Sequence, residues 1–145
     1  QTAMTNFVAA LAQAEAAMEV FRAQKRGHLV MISSVSAMRG MRKTVTTYAA
    51  TKAGVAALAE GLRNEMLGEP DLDIRVSTIY PGYIRSEMNE RVTKTPFIVD
   101  TETGVRAMVD AMEKEKANAL VPAWPWVPLG KAMRHLPLPL VRRIM

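Results

Sequence analysis

Residues 28–34 read His28-Leu29-Val30-Met31-Ile32-Ser33-Ser34, and fourteen residues beyond Ser34 begins Tyr48-Ala49-Ala50-Thr51-Lys52. The short apolar run, bounded by glycine and serines, predicts a strand over 28–33 buried on both faces. Val55, Leu58, Leu62 and Met66 recur at helical spacing before Gly68 and Pro70, which predicts a helix over about 45–67. Tyr48 and Lys52 then lie one turn apart on one face, with Ser34 arriving from the end of the preceding strand. A phenol, an ammonium and a hydroxyl so placed can move a proton on and off an oxygen.

Magnitudes decide whether that pair does chemistry. A free phenol ionises near ~10 and is a poor proton acceptor at neutral pH. A unit positive charge ~4 Å away, at an effective dielectric of about 20, contributes roughly 4 kcal/mol, about a thousandfold in an ionisation constant. On an exposed helix face the same pair contributes only about 0.3–0.5 kcal/mol. Burial in a cleft separates the two cases.

Working outward, Phe7, Leu11, Ala14, Met18 and Phe21 predict a helix over 1–26, with Lys25, Arg26 and Gly27 as its C-terminus. Residues 35–44 read as a loop. Residues 73–80 are a second strand ended by Pro81-Gly82, and 83–99 a loop. Residues 100–116 are an amphipathic helix with Val105, Met108, Val109 and Met112 inward, and 118–121 a third short strand. The proline-rich tail reads as broken helical turns. Helix–strand alternation with short connections implies an α/β fold with parallel strands and crossover helices. Ligands in such sheets bind beyond the carboxyl ends of the strands, where Ser33-Ser34 and Tyr80-Pro81-Gly82 both stand. Ala49, Ala50, Ala53, Gly54 and Ala57 give the second helix a small face, a helix-packing or subunit contact.

Length suits one domain, and 49% apolar with 23% charged residues suits a soluble globular chain. With no cysteine there is no disulfide and no thiolate metal site, which fits a reducing, cytoplasmic compartment. His28 and His135 lack ligand-spaced partners, so no metal is expected. The net charge of +5 is concentrated in residues 117–145, which hold Lys131, Arg134, Arg142 and Arg143 and no acid; the remaining 15 basic and 14 acidic residues nearly cancel. That distribution argues against a nucleic-acid binder. The tail either caps the fold or a neighbouring subunit, which its prolines favour, or makes peripheral contact with an anionic membrane.

In order, Asn6, Ile32-Ser33-Ser34, Tyr48-x-x-x-Lys52 and Pro81-Gly82-Tyr83-Ile84-Arg85-Ser86 resemble the C-terminal half of the short-chain dehydrogenase/reductase family. The resemblance implies a Rossmann-like doubly wound parallel sheet, here its last three strands with their helices. Residues 1–145 would be the C-terminal portion of one such domain, with about 122–145 a basic extension. It implies NAD- or NADP-dependent interconversion of an alcohol and a carbonyl, in either direction. Tyr48 would be the acid/base, Lys52 its electrostatic support and a ligand of the nicotinamide ribose, and Ser34 the holder of the substrate oxygen. Asn6 would serve a water-linked proton relay, while Pro81, Gly82 and Ile84 would line the nicotinamide and Ser86 contact its carboxamide or phosphates. The Ser34-to-Tyr48 interval is about one residue longer than is commonest in the family, and Ser86 stands where threonine is more usual.

One departure is larger: no glycine-rich pyrophosphate turn occurs in these residues. The strand 28–33, central in an intact sheet, would be left with an apolar edge. The chain alone is therefore expected to be unstable and without turnover, or else an inactive oligomerisation or binding module. Several residues carry two readings at this stage. Asn6 could be a simple helix-start residue, Ser33 a turn former, and Ser36 either a pocket residue or a solvated loop serine. Met88, Phe97, Trp124 and Trp126 could form an apolar lid for a lipophilic substrate or pack the tail. Arg39, Arg42 and Lys43 read as a solvated loop.

Overall fold

The computed structural model describes residues 1–43, 45–85 and 97–144. Ser86 and Met88 lie outside the described residues. An initial π-helical turn, Met4–Val8, runs into α1, Ala9–Gln24. This helix turns Ala14 and Met18 inward and stops when Lys25 takes the left-handed conformation, φ 60°, its N–H donating to the Arg22 carbonyl. The stop falls two residues before the expected end at Arg26, and Lys25, not Gly27, holds the left-handed position. Gly27 is used differently, since the Phe21 ring lies where a β-carbon at 27 would be.

The strand β1, Arg26–Ile32, pairs in parallel with β2, Asp73–Pro81, which pairs in parallel with β3, Asn118–Val121. Parallel neighbours need crossovers, and these are α2, Val45–Leu67, and α3, Thr101–Glu113. The α/β order expected from the sequence is the one observed. On one face Met31 and Val76 meet Ala14 of α1 and Val55 and Ala59 of α2. On the other, Ile79, Ala119 and Val121 meet Ala111 of α3. Each buried Val, Ile or Met side chain in these clusters contributes about 1.5–3 kcal/mol.

Two details of packing depart from the sequence pattern. Val105 and Val109 of α3 are exposed, whereas Met108 and Met112 pack inward as expected, beside Gly104, Ala107 and Ala111. The helix is rotated so that small residues face the sheet, and Gly104 lies directly under Ile84. The small face of α2 divides: Ala49 is buried and Gly54 meets Phe7, whose ring would be 2.9 Å from a β-carbon there, whereas Ala50, Ala53 and Ala57 are exposed.

β1 is an outer strand among the described residues, so it is only half buried; Leu29 and Val30 are partly covered and Ile32 is 39% exposed. A recess of about 420 Å³ runs beside it, lined by Asn6, Ala10, Leu29, Val30, Ile32 and Lys52. At the opposite side β3 is also an outer strand among the described residues. β3 is short, and Arg63 of α2 satisfies the groups it leaves: Nη1 donates to the Val76 and Ala117 carbonyls and to Thr78 Oγ1, and Nη2 to Asn118 Oδ1.

The tail is more helical than expected. It forms α4, Ala123–His135, kinked at Trp124, and α5, Leu138–Ile144, with Pro125 and Pro128 confined to the first turns of α4. Met133 and Val141 are buried, so both helices cap the body. Among the described residues no helix is long and apolar enough to cross a membrane.

Candidate active site

Two hydrogen bonds fix α2 against the carboxyl end of β1. Ser33 Oγ donates to the Lys52 carbonyl at 2.8 Å, and Lys52 Nζ donates to the Ile32 carbonyl at 2.9 Å. Lys52 is thus held through its backbone and its side chain at once. Its ammonium lies 5.8 Å from the centre of the Tyr48 ring, one turn earlier on the same face. Burial lowers the Lys52 pKa below the ordinary lysine value by disfavouring the charged form. Tyr48 remains open to solvent, at 37% exposure.

Ser34 caps the 3-10 turn Val35–Met38. Its Oγ accepts from Ser36 N at 3.2 Å and from Ser36 Oγ at 2.9 Å. With those lone pairs engaged, its own O–H remains to donate outward. Ser36 is buried, so it is no solvated loop serine; it orients Ser34. Ser33 is a structural pin, as its N–H donation to the Ile79 carbonyl also shows.

Asn6 sits in the π-helical turn, a distortion that often marks functional sites. Its Nδ2 reaches Thr51 Oγ1 at 3.5 Å, the outer limit of a hydrogen bond, and Thr51 Oγ1 donates to the Tyr48 carbonyl at 2.7 Å. Asn6 and Lys52 line the same recess beside β1. One strand over, Pro81 ends β2 and the Gly82 N–H donates to the Val121 carbonyl at 2.8 Å. The Trp126 indole occupies the space a β-carbon at Gly82 would need. Ile84 bridges to Val99 and packs over Gly104 of α3.

The structure therefore gathers Asn6, Ser34, Tyr48 and Lys52 around the end of β1 and sets Pro81 and Gly82 on the adjoining strand end. Trp126 is buried and meets Tyr83 and Phe97 edge-on at 5.4 and 6.2 Å, whereas Trp124 is exposed. The four apolar residues taken together as a lid thus divide. His28 is paired with Ser77 at 2.8 Å. Three contributors were not foreseen: Thr51, the orientation Ser36 gives Ser34, and the Trp126–Gly82 contact. Thr51 had a signal, because a threonine three residues after Tyr48 on a helix can reach back to its carbonyl. The Trp126 contact joins positions too distant in sequence for any local pattern.

Residues 1–96 match the short chain dehydrogenase family. An uncharacterized oxidoreductase of Mycobacterium tuberculosis is 48% identical over 142 residues, which cover 98% of this chain and 55% of the relative. The chain spans about half the length of the curated relatives it matches. A short-chain dehydrogenase from Sphingobium yanoikuyae, solved in complex with NADPH, superposes with a TM-score of 0.69 at 24% identity, over 92% of this chain and 55% of that one. The bulky-bulky ketone specific alcohol dehydrogenase from Comamonas testosteroni gives 0.66 at 27% identity, over 93% and 53%. With its serine, tyrosine and lysine set around one end of a parallel sheet, the chain belongs to the short-chain dehydrogenase family.

Proposed function

We propose that the protein containing this chain is an oxidoreductase that interconverts an alcohol and a carbonyl with a nicotinamide cofactor, and that Tyr48 is its acid/base. The observation that carries this is the double hold on Lys52, which keeps the helix of Tyr48 against the strand end that presents Ser34. Ser34 donates its O–H to the substrate oxygen. Tyr48 gives that oxygen a proton or takes one from it, with the Lys52 ammonium one helical turn away. Asn6 and Thr51 hold polar atoms behind this pair, where a water chain can return the proton.

The residues present fit the nicotinamide side of a dinucleotide. Lys52 has one acceptor among the described residues, leaving N–H donors for ribose hydroxyls. At the carboxyl end of β2 the Trp126 indole packs directly on the Gly82 backbone, and Pro81, Gly82, Ile84 and Ser86 make up the set proposed to line the nicotinamide. When bound, the cofactor supplies or accepts the hydride, and the protein's part is position and proton transfer. The NADPH complex of the Sphingobium enzyme supports the cofactor class. NAD and NADP are separated around the adenosine ribose, for which this chain offers no candidate residue. The lack of cysteine supports a cytoplasmic setting.

Tyr48→Phe is expected to lower kcat by about 10²–10⁴-fold while nicotinamide binding, followed by fluorescence, stays within about twofold. Turnover retained at the wild-type rate would remove Tyr48 from the role. A second reading, an oligomerisation module without turnover, is favoured by the exposed Ala50, Ala53 and Ala57 on α2. Sedimentation showing assembly that Ala53→Glu abolishes, in a protein with no reductase activity, would select it.

A further inference from the structure

A recess of about 880 Å³ opens between the loop before α2 and the last helix, α5. Its volume lies within the ~300–1,000 Å³ typical of small-molecule sites. Apolar walls come from Met41, Leu138 and Val141, and guanidinium groups come from both sides: Arg42 on the loop, Arg142 and Arg143 on α5. None of the three arginines has an ion-pair partner among the described residues. Neither wall carries an acid, since residues 33–59 and 117–145 contain no Asp or Glu.

The loop wall of the recess leads into α2, the helix that carries Tyr48. Thr46 Oγ1, two residues before Tyr48, donates to the Met41 carbonyl at 2.9 Å, which ties the loop wall to the first turn of α2. Arg39 Nη1 donates to the Arg134 carbonyl at the end of α4, which braces the loop against the tail. On α5 Val141 is turned into the body, while Leu138 and Leu140 are exposed beside Arg142 and Arg143. Positive charge on two opposed walls around an apolar floor matches an ion with an apolar body.

From this we propose that the recess takes the anionic, apolar-bodied part of the substrate, so that the substrate class is an amphiphile bearing a carboxylate or similar anion as well as the reacting alcohol or carbonyl. Calling the ligand a substrate rests on the acid/base reading of Tyr48; its binding does not. Guanidinium groups recognise carboxylate and phosphate through paired N–H donors, and such charge-assisted bonds are the strong ones.

The test is calorimetric titration of the purified protein with three probes of equal chain length: dodecanoate, dodecanol and dodecyltrimethylammonium. Dodecanoate is expected to bind at least about tenfold more tightly than either other probe, more weakly as salt rises. Arg42→Gln combined with Arg142→Gln is expected to weaken dodecanoate at least about tenfold and dodecanol less than twofold. Equal affinity for all three probes, or no loss in the double variant, overturns the proposal. So does co-sedimentation with phosphatidylglycerol vesicles that the double variant loses while dodecanoate fails to bind, because that assigns the arginines to a membrane surface. Dodecanoate binding that persists in Tyr48→Phe supports the recess whatever that variant does to turnover; turnover surviving there overturns the acid/base reading alone.

Discussion

The outer strand β1 and the central strand β2 differ in burial although both are largely apolar. Ile32 of β1 and Ile79 of β2 are partners in register, yet Ile32 is 39% exposed and Ile79 fully buried. On the β3 side α3 covers one face, and Arg63 bonds the groups that the short strand leaves unpaired. The β1 flank ends in a recess beside half-covered Leu29 and Val30. An apolar strand pattern thus specifies the capacity to be buried, while burial itself depends on what lies alongside. An apolar strand with one free edge is a place where more protein can add.

The largest expected effect separates the partnered isoleucines. Ile79→Ala is expected to cost about 2–5 kcal/mol and Ile32→Ala less than about 1 kcal/mol in urea melts of the 145-residue chain. Equal costs would break the distinction between the outer and the central strand. A cost at Ile32 that rises to match Ile79 in a longer polypeptide would sharpen it, by showing that a further strand covers β1.

Arg63→Met comes next. It removes donors from the Val76 and Ala117 carbonyls and from Thr78 and Asn118, and is expected to cost about 1–3 kcal/mol. Amide exchange should quicken at β3 and leave β1 unchanged; quickening at β1 would contradict the assignment of Arg63 to one flank. At the turn into β1, Lys25→Gly relieves a left-handed residue and is expected to stabilise by about 0.5–1 kcal/mol in the same melts.

The smallest expected effect is a slope. Burial lowers the Lys52 pKa below its ordinary 10.5, so the unfolded chain holds that proton more tightly than the folded one. The contribution of this group to stability therefore rises with pH between the lowered folded value and 10.5, and is flat below. Lys52→Met should remove that rise from the alkaline dependence of the urea midpoint. An unchanged dependence would place the ammonium in bulk water.

Local punctuation made much of the fold legible. The expected bounds of α2 and β3 are those observed, because Gly68, Pro70 and Pro122 end runs of clear period. The Tyr48–Lys52 relation was legible for the same reason, since helical spacing alone sets it. What stayed hidden depends on partners distant in sequence. The rotation of α3 follows from Ile84 needing Gly104 beneath it, and Gly27 reads as a helix stop until Phe21 is seen against it. The role of Arg63 exists only because β3 is short. At the site, the hydroxyl of Ser34 was foreseen and its orientation by Ser36 was not, because a serine two residues along can equally face water.

The hold on Lys52 has a bearing on how the site can be taken apart. The bond from Ser33 grips a peptide oxygen, which every amino acid supplies, so the seat of position 52 does not depend on which side chain occupies it. Replacing the ammonium removes the charge and the bond to the Ile32 carbonyl but keeps the grip of Ser33, whereas replacing Ser33 removes that grip and leaves the charge and its own bond in place.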